Sequence, residues 1–224
     1  MNTWDSYWSA KQDKASGAYD RIAGLYRRHI IRPRLETALR KEFLPGSRLL
    51  HAGCGSGEVD MGLAKVHPVV GRDFDIVGVD LSASAVDLYR KNNPNATAYQ
   101  ADIFKLPESF GPFDGIYNLG VLEHFEEHEI LRMLGIFKRL LKPGGKMVFF
   151  WPHAQATSVA VLGLASKVMK RAFHPPEPSL CPGPDGTRRL FLQAGLWVDS
   201  YRFGPSDGWV QAIVVASMTG PVAP

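Results

Sequence analysis

The sequence lacks the features that would place it in several special classes of protein. It has only two cysteines, Cys54 and Cys181, and no CxxC pair, which excludes a disulfide-built scaffold and indicates a reducing compartment. Its longest mostly apolar stretch, residues 159–165, is far shorter than the roughly 20 residues of a membrane span. The first residues do not follow the basic and then apolar pattern of a signal peptide. We therefore expect a cytoplasmic protein without a membrane span.

Metal-binding patterns, repeats and an extreme charge are also missing. No His, Cys or Asp residues recur at metal-ligand spacing, so we expect no metal. The net charge is only +4, and the composition is that of one ordinary globular domain over residues 1–224. Basic residues concentrate near the start, where they indicate a solvated helix face or an acidic partner. Since no nucleic-acid motif accompanies them, we favour the solvated face and expect no nucleic-acid partner; they are Arg21, Arg27, Arg28, Arg32, Arg34, Arg40 and Lys41.

A run of glycines after a short apolar segment is the most informative feature present. Residues 49–57 read Leu-Leu-His-Ala-Gly-Cys-Gly-Ser-Gly, the pattern of a buried strand that ends in a tight turn. In an open α/β sheet such a turn lies where nucleotide-like ligands bind. Glu58 replaces the third glycine of the dinucleotide pattern GxGxxG, and its charge would repel a diphosphate. A ligand with a ribose and a positive centre suits this turn better.

Strands and helices alternate along the rest of the chain, which predicts a mainly parallel sheet. A C-terminal hairpin would add an antiparallel strand to one edge. The predicted strands are 49–52, 76–79, 96–100, 113–118, 146–151, 196–203 and 209–217, and the predicted helices are 57–66, 83–91, 126–141 and 188–194, with most of 1–44 also helical.

Each of three predicted strands ends in a polar residue at the edge where the glycine turn lies. Asp80 can accept hydrogen bonds from two ribose hydroxyls, although it could also cap the helix that follows. Asp102 is placed to accept from an adenine amino group. Asn118, Leu119 and Gly120 would close the pocket beneath the reacting centre.

Five ordered motifs, taken together, resemble those of the class I S-adenosylmethionine-dependent methyltransferases of the small-molecule type. The resemblance covers roughly residues 19–217. The motifs are Gly-Cys-Gly-Ser-Gly at 53–57, Val-Gly-Val-Asp-Leu-Ser at 77–82, Gln-Ala-Asp-Ile-Phe-Lys-Leu-Pro at 100–107, Phe-Asp-Gly-Ile-Tyr-Asn-Leu-Gly-Val-Leu-Glu-His at 113–124, and Leu-Lys-Pro-Gly-Gly at 141–145.

The resemblance implies a Rossmann-like α/β fold. Its seven-stranded sheet has the order 3-2-1-4-5-7-6, with the last strand antiparallel and helices on both faces. Within the single domain, residues 1–44 would form a helical lid and 45–151 the cofactor-binding core. Residues 152–187 would be an insertion that covers the acceptor site, and 188–217 the last helix and hairpin.

The same resemblance implies the residues that bind S-adenosylmethionine. Those near its methionine part and sulfonium would be Tyr19, Gly53, Cys54, Gly55, Gly57, Asn118 and Leu119, and those around the ribose and adenine would be Asp80, Leu81, Asp102 and Ile103. His51 stands where many members carry Asp or Glu. It is therefore either a cofactor contact of another kind or a packed strand-end histidine.

The acceptor side is less well defined. A base is needed only if the acceptor must lose a proton, and His124, Glu123 and His153 are the candidates, with His124 chosen as the catalytic residue. His174 with Glu177 would bind acceptor, together with Glu123 and His153.

The function predicted from the sequence is methyl transfer to a small, partly apolar molecule, with oxygen favoured as the methylated atom. An RNA methyltransferase and a non-catalytic S-adenosylmethionine-binding protein remain alternatives, and a nicotinamide-dependent oxidoreductase is a more distant one. The sequence does not indicate an oligomeric state.

Overall fold

The computed structural model describes residues 3–13, 24–67, 71–156, 177–205, 209 and 211–220. A π-helical turn, Arg27–Ile31, precedes the second helix, and three short 3₁₀ turns lie at Ile103–Lys105, Glu108–Phe110 and Leu122–His124. The helices are α1 (Thr3–Asp13), α2 (Arg32–Glu42), α3 (Ala83–Asn92), α4 (Glu127–Leu140) and α5 (Gly183–Gln193). The strands are β1 (Arg48–Ala52), β2 (Val66–His67), β3 (Gly71–Arg72), β4 (Asp75–Asp80), β5 (Thr97–Gln100), β6 (Phe113–Leu119), β7 (Leu141–Trp151), β8 (Trp197–Arg202) and β9 (Ala212–Ser217).

Seven of these strands form one sheet in the order β5-β4-β1-β6-β7-β9-β8. Numbered along the chain without the short pair β2-β3, this is 3-2-1-4-5-7-6. Strands β5, β4, β1 and β6 pair in parallel, and β9 runs antiparallel to both β7 and β8. The predicted fold class, including the antiparallel last strand, is confirmed.

The chain divides into two compact units, and the first comprises Met1–Tyr117. Strand β1 is apolar because it lies between β4 and β6, with Leu50 opposite Val77 on one side and Ile116 on the other. Parallel strands covered in this way read as continuous apolar runs. Helix α3 begins as predicted, since the Ser82 hydroxyl accepts from the Ala85 N–H and satisfies a free donor of the first turn.

The second unit comprises Asn118–Pro224. Helix α4 begins with a reciprocal capping box between Glu126 and Glu129 and buries one apolar face. Strand β9 lies between β7 and β8, which explains why all six of its residues are buried. The Phe149 and Phe191 rings meet edge to face at 5.2 Å between centroids and join β7 to α5.

The predicted helix over 57–66 is wrong, because residues 58–64 form successive turns. Gly57 and Gly62 both adopt positive φ, at 65° and 89°, which interrupts a right-handed helix. Strand β7 begins at Leu141 rather than 146, although its ladder with β9 starts at Lys146. The last helix also begins earlier than predicted, at Gly183. The short antiparallel pair β2-β3 was not predicted.

Within residues 1–44, the described ranges 3–13 and 24–42 are helical, in agreement with the sequence. Helix α1 packs against α3, where the Ser9 and Ser84 hydroxyls lie 3.1 Å apart. None of the helices within the described ranges combines the length and the apolarity needed to cross a bilayer.

Candidate active site

The glycine turn after β1 is held by backbone and side-chain acceptors from β4. The N–H groups of Gly53 and Cys54 both donate to the Val79 carbonyl, at 2.8 and 2.9 Å. The next glycine N–H, that of Gly55, donates to Asp80 Oδ2 at 2.9 Å. Gly53, Gly55 and Gly57 have φ values of 73°, 52° and 65°, in the left-handed region that favours glycine. The turn is thus fixed in shape by β4.

At two of these positions close neighbours leave no room for a Cβ atom, so only glycine fits. A Cβ on Gly57 would lie 2.4 Å from both the Tyr89 ring and the Asn93 amide nitrogen. A Cβ on Gly55 would lie 2.8 Å from the indole of Trp8 on α1. Trp8 is therefore an N-terminal aromatic residue that lies beside the turn. Tyr19, which the sequence proposed for this role, lies outside the described residues.

Asp80 is a buried carboxylate with a fixed orientation. It is only 9% exposed, and its two oxygens accept from the Gly55 and Ser82 N–H groups, at 2.9 and 3.0 Å. Burial raises the pKa of the Asp80 carboxyl, and the two backbone hydrogen bonds oppose that rise. Each carboxylate oxygen retains a second lone pair for a ligand hydroxyl. Asp80 can therefore brace the turn and bind a ribose together.

The second strand-end carboxylate, Asp102, caps a short turn. Its Oδ1 accepts from the Phe104 N–H at 2.9 Å, and its Oδ2 lies 3.4 Å from Lys105 Nζ. Leu81 is 41% exposed, whereas Ile103 is buried. An exposed apolar side chain and a half-buried carboxylate are the kinds of group that suit the face and the edge of a purine ring.

His51 belongs to a buried polar network that the sequence did not reveal. Its Nδ1 lies 2.6 Å from Asp60 Oδ2, which also accepts from the Tyr89 hydroxyl at 2.7 Å. The His51 ring stacks on Tyr117 with 4.4 Å between centroids. Burial first, and then the Asp60 carboxylate, raise the pKa of the Tyr89 hydroxyl well above its usual range. Asp60 carried no sequence signal beyond its acidity, so its partnership with His51 was missed.

Two further side chains of the turn, Glu58 and Cys54, are an ion-paired carboxylate and a buried thiol. The Glu58 carboxylate lies 2.6 Å from Arg27 Nε, so its charge is paired, which weakens the argument that it repels a diphosphate. Cys54 is 4% exposed, and burial raises the pKa of its thiol well above the usual range. A buried, protonated thiol is a packing group rather than a nucleophile.

Among the described residues of the second unit, Asn118 and Glu123 are buried side chains that carry polar atoms without a hydrogen-bond partner. Asn118, at the end of β6, is 0% exposed, and neither of its amide atoms makes a hydrogen bond to any described residue. Glu123, in the 3₁₀ turn that follows, is 3% exposed, and its Oε2 is likewise unpaired within the described ranges. Leu119 is half-buried beside Asn118. Unsatisfied buried groups of this kind are rare and call for an explanation.

The other acceptor-side residues have different surroundings. His124 is half-buried, and its N–H donates to the Val121 carbonyl at 3.1 Å. His153 stacks on Phe203 with 4.1 Å between centroids, and its Nδ1 accepts from the Gln155 N–H. Burial lowers the pKa of the His153 imidazole. Glu177 is half-buried and close enough to act on the charge of Glu123. His174 and residues 157–176 of the predicted insertion lie outside the described residues.

Comparison with known proteins agrees with this geometry. Residues 49–145 match a protein family described as "Methyltransferase domain". A ubiquinone biosynthesis O-methyltransferase of Coxiella burnetii is 33% identical over 126 residues, which are 54% of this chain and 50% of that protein. An O-methyltransferase of Pyrenophora dematioidea is 27% identical over 119 residues, 50% of this chain and 42% of that one. The chain spans about half the length of the curated relatives it matches.

Solved structures show the same fold across nearly the whole chain. The magnesium protoporphyrin IX methyltransferase of Synechocystis PCC 6803 with bound SAH has a TM-score of 0.65 at 17% identity, covering 94% of this chain and 92% of that one. A TehB-like SAM-dependent methyltransferase of Corynebacterium glutamicum has a TM-score of 0.65 at 18% identity, covering 95% and 97%.

The strand order and the glycine turn with its strand-end carboxylates define a Rossmann-like class I methyltransferase fold. Residues 49–145, which match the family described as "Methyltransferase domain", contain this turn and both carboxylates. S-adenosylmethionine is the cofactor of this class, and both the left-handed glycines and the open lone pairs of Asp80 fit its ribose and methionine parts.

Proposed function

We propose that this protein transfers a methyl group from S-adenosylmethionine to an oxygen atom of a small organic acceptor. The observation that carries the proposal is the cradle after β1, where the Asp80 carboxylate fixes the Gly55 N–H and keeps lone pairs free. The similarity to two proteins named as O-methyltransferases supports oxygen as the methylated atom. When bound, S-adenosylmethionine supplies an electrophilic methyl group on a sulfonium that leaves as a neutral thioether.

The proposed work of the protein is mostly alignment. Holding the acceptor in line with the methyl group contributes up to about 7–11 kcal/mol in well-aligned systems, and exclusion of water protects the reaction. Asp80 would hold the ribose, while Leu81, Asp102 and Ile103 would surround the adenine. The glycine turn would contact the methionine part through its main chain, whose left-handed conformation glycine adopts readily. The remaining proposed cofactor contacts are Tyr19, His51, Cys54, Asn118 and Leu119.

The regions around this cradle have proposed roles as well. Residues 1–44 would form a lid, and Trp8 beside Gly55 supports that assignment. Residues 152–187 would cover the acceptor, with Glu123, His153, His174 and Glu177 as its contacts. We further propose a cytoplasmic location.

A turnover assay tests the proposal. The full chain is incubated with S-adenosylmethionine labelled in its methyl group and with a panel of small hydroxylated aromatic and aliphatic compounds. We expect release of S-adenosylhomocysteine together with an O-methylated product, detected by mass spectrometry. Labelled product on a nitrogen or carbon atom would overturn the oxygen assignment. Binding of S-adenosylhomocysteine without turnover on any panel member or on RNA would favour a non-catalytic binding protein.

A further inference from the structure

The turn that follows β6 carries polar groups whose hydrogen bonds are not made within the described structure. Asn118 and Glu123 lie on either side of Gly120, which has a φ of 67°. The Glu123 Oε1 atom would lie 3.3 Å from a Cβ added at Gly120, so the carboxyl group folds back toward the end of β6. Gly120 itself is fixed because its N–H donates to the Phe150 carbonyl at 3.2 Å. The carboxyl group thus has a defined place beside the strand end.

A short segment, the strap (residues 177–181), is hydrogen-bonded to this turn. The Ser179 N–H donates to the Glu123 carbonyl at 3.2 Å, and the Ser179 carbonyl accepts from Trp151 Nε1 at 2.8 Å. The Cys181 N–H donates to the Pro152 carbonyl at 2.8 Å. These bonds tie the strap to the Glu123 backbone and to the end of β7, but they leave Glu123 Oε2 unpaired among the residues described.

Burial controls the ionisation of this carboxyl group. It raises the pKa of Glu123 to about 8; the backbone N–H of Glu123 opposes that rise, and Glu177 adds to it as a nearby carboxylate. The other titratable groups on the surrounding elements are His124 on the same turn, His153 after β7 and Cys181 on the strap. Glu177 is the neighbouring carboxylate that acts on the charge of Glu123.

A purely structural role does not account for this arrangement. Leaving a buried donor or acceptor unsatisfied costs about 1–3 kcal/mol, and an apolar residue of similar shape would avoid that cost. Two such side chains within six residues, at the carboxyl end of a sheet strand, point to a polar ligand. Parallel α/β sheets bind their ligands at that end of the strands.

We propose that Glu123 is a catalytic base that accepts the proton of a weakly acidic hydroxyl group on the acceptor. The inference rests on the proposed methyltransferase function. As the oxygen–methyl bond forms and the sulfur–methyl bond breaks, the hydroxyl proton moves to a Glu123 carboxylate oxygen. Glu123 then returns this proton to water, so that charge and atoms balance.

The same chemistry selects a class of acceptor. A base works best when its proton affinity approaches that of the group it deprotonates, and phenols ionise near pH 10, whereas aliphatic alcohols ionise far higher. A carboxyl group that ionises near neutral pH is therefore suited to a phenol or an enol. His124, the base favoured by the sequence, is half-buried, whereas Glu123 presents a buried and unpaired oxygen.

The first experiment measures the ionisation of the Glu123 carboxyl group directly. The full chain, labelled with carbon-13 at the glutamate carboxyl carbon, is titrated by NMR in the presence of S-adenosylhomocysteine, with and without catechol as the probe. We expect one glutamate signal to titrate near pH 8, to disappear in Glu123→Gln and to shift when catechol is added. The absence of any glutamate titrating above pH 6, or a signal that catechol leaves unchanged, would overturn the proposal.

The second experiment measures the rate. With the best acceptor from the panel, Glu123→Gln should lower kcat by at least about 100-fold, the usual contribution of general base catalysis, and remove the rise in rate toward pH 8. Glu177→Gln should move that rise to lower pH, because it removes a neighbouring negative charge. The matched control Glu127→Gln, on an exposed carboxylate at the start of α4, should leave rate and profile unchanged.

The outcomes separate this proposal from the one on which it rests. If the wild-type chain binds no S-adenosylhomocysteine, the proposed function fails. If it binds the cofactor and methylates a phenol, but Glu123→Gln retains the wild-type rate and pH profile, only the assignment of Glu123 fails.

Discussion

The carboxylates at the ends of β4 and β6 differ in one respect that matters for function. Asp80, after β4, has both oxygens engaged by backbone N–H groups of the same unit. Glu123, after β6, has an oxygen without a partner in the described part of the chain, and Asn118, near the end of β6, has two such atoms. All three side chains are buried, so the difference lies in hydrogen bonding and not in exposure.

This difference distinguishes a preformed cradle from a site that needs a ligand to complete it. A charge-assisted hydrogen bond to a backbone N–H fixes a loop in one shape before any ligand arrives. An unsatisfied buried carboxyl group instead gains most when a ligand supplies the missing partner. Cofactor binding and acceptor chemistry can therefore be tested separately, on different residues.

The largest expected effect comes from disrupting the preformed glycine turn. Gly57→Ala would place a Cβ within 2.4 Å of Tyr89 and Asn93 and would also occupy a positive φ. Left-handed strain and overpacking together should lower the free energy of unfolding by about 3 kcal/mol or more. Denaturant unfolding followed by circular dichroism measures this loss.

The matched control for that change is Gly144→Ala. Gly144 has a φ of 78° but no heavy atom within 4 Å of an added Cβ, so it carries the strain without the crowding. It should cost only about 1–2 kcal/mol. Equal losses in the two variants would show that the neighbours of Gly57 do not fix the turn.

A smaller effect is expected from Glu123, whose ionisation makes the stability depend on pH. Because the folded pKa of Glu123 is raised, folding favours its neutral form, and stability is greatest below the unfolded pKa and lost as pH rises through about 8. The unfolding free energy should fall by about 2 kcal/mol between pH 6 and pH 8 from this group alone. Glu123→Gln should remove that part of the pH dependence, measured by chemical denaturation across the range. An unchanged slope in the variant would mean that Glu123 is ionised in the folded protein.

The sequence predicted the fold well because most of its signals are local. The strand that ends at Asp80 follows from a short apolar run, and the helix that begins after Ser82 follows from a capping residue. Both occur as predicted. The helix predicted over 57–66 is wrong because Gly57 and Gly62 adopt positive φ. Sequence periodicity cannot report which glycines will take that conformation.

The candidate site was predicted only as far as single residues carry information. The roles of strand-end Asp80 and Asp102 could be inferred from their positions in the motifs. The pairing of His51 with Asp60 joins residues nine positions apart through the fold, and the contact of Trp8 with the turn depends on where α1 packs. Neither relation leaves a local pattern. The burial of Glu123 and the hydrogen bond from the strap to its backbone were likewise visible only in the structure.

Isothermal calorimetry of S-adenosylhomocysteine binding is the direct test of the cofactor cradle at Asp80. The wild-type chain should bind one equivalent, and the exposed control Asp87→Ala should bind equally well, since its side chain is 69% exposed. Asp80→Asn and Asp80→Ala should each weaken binding by about 30-fold or more, the equivalent of one lost charge-assisted hydrogen bond of about 2 kcal/mol. Unchanged affinity in both folded Asp80 variants would contradict the assignment of the cofactor cradle.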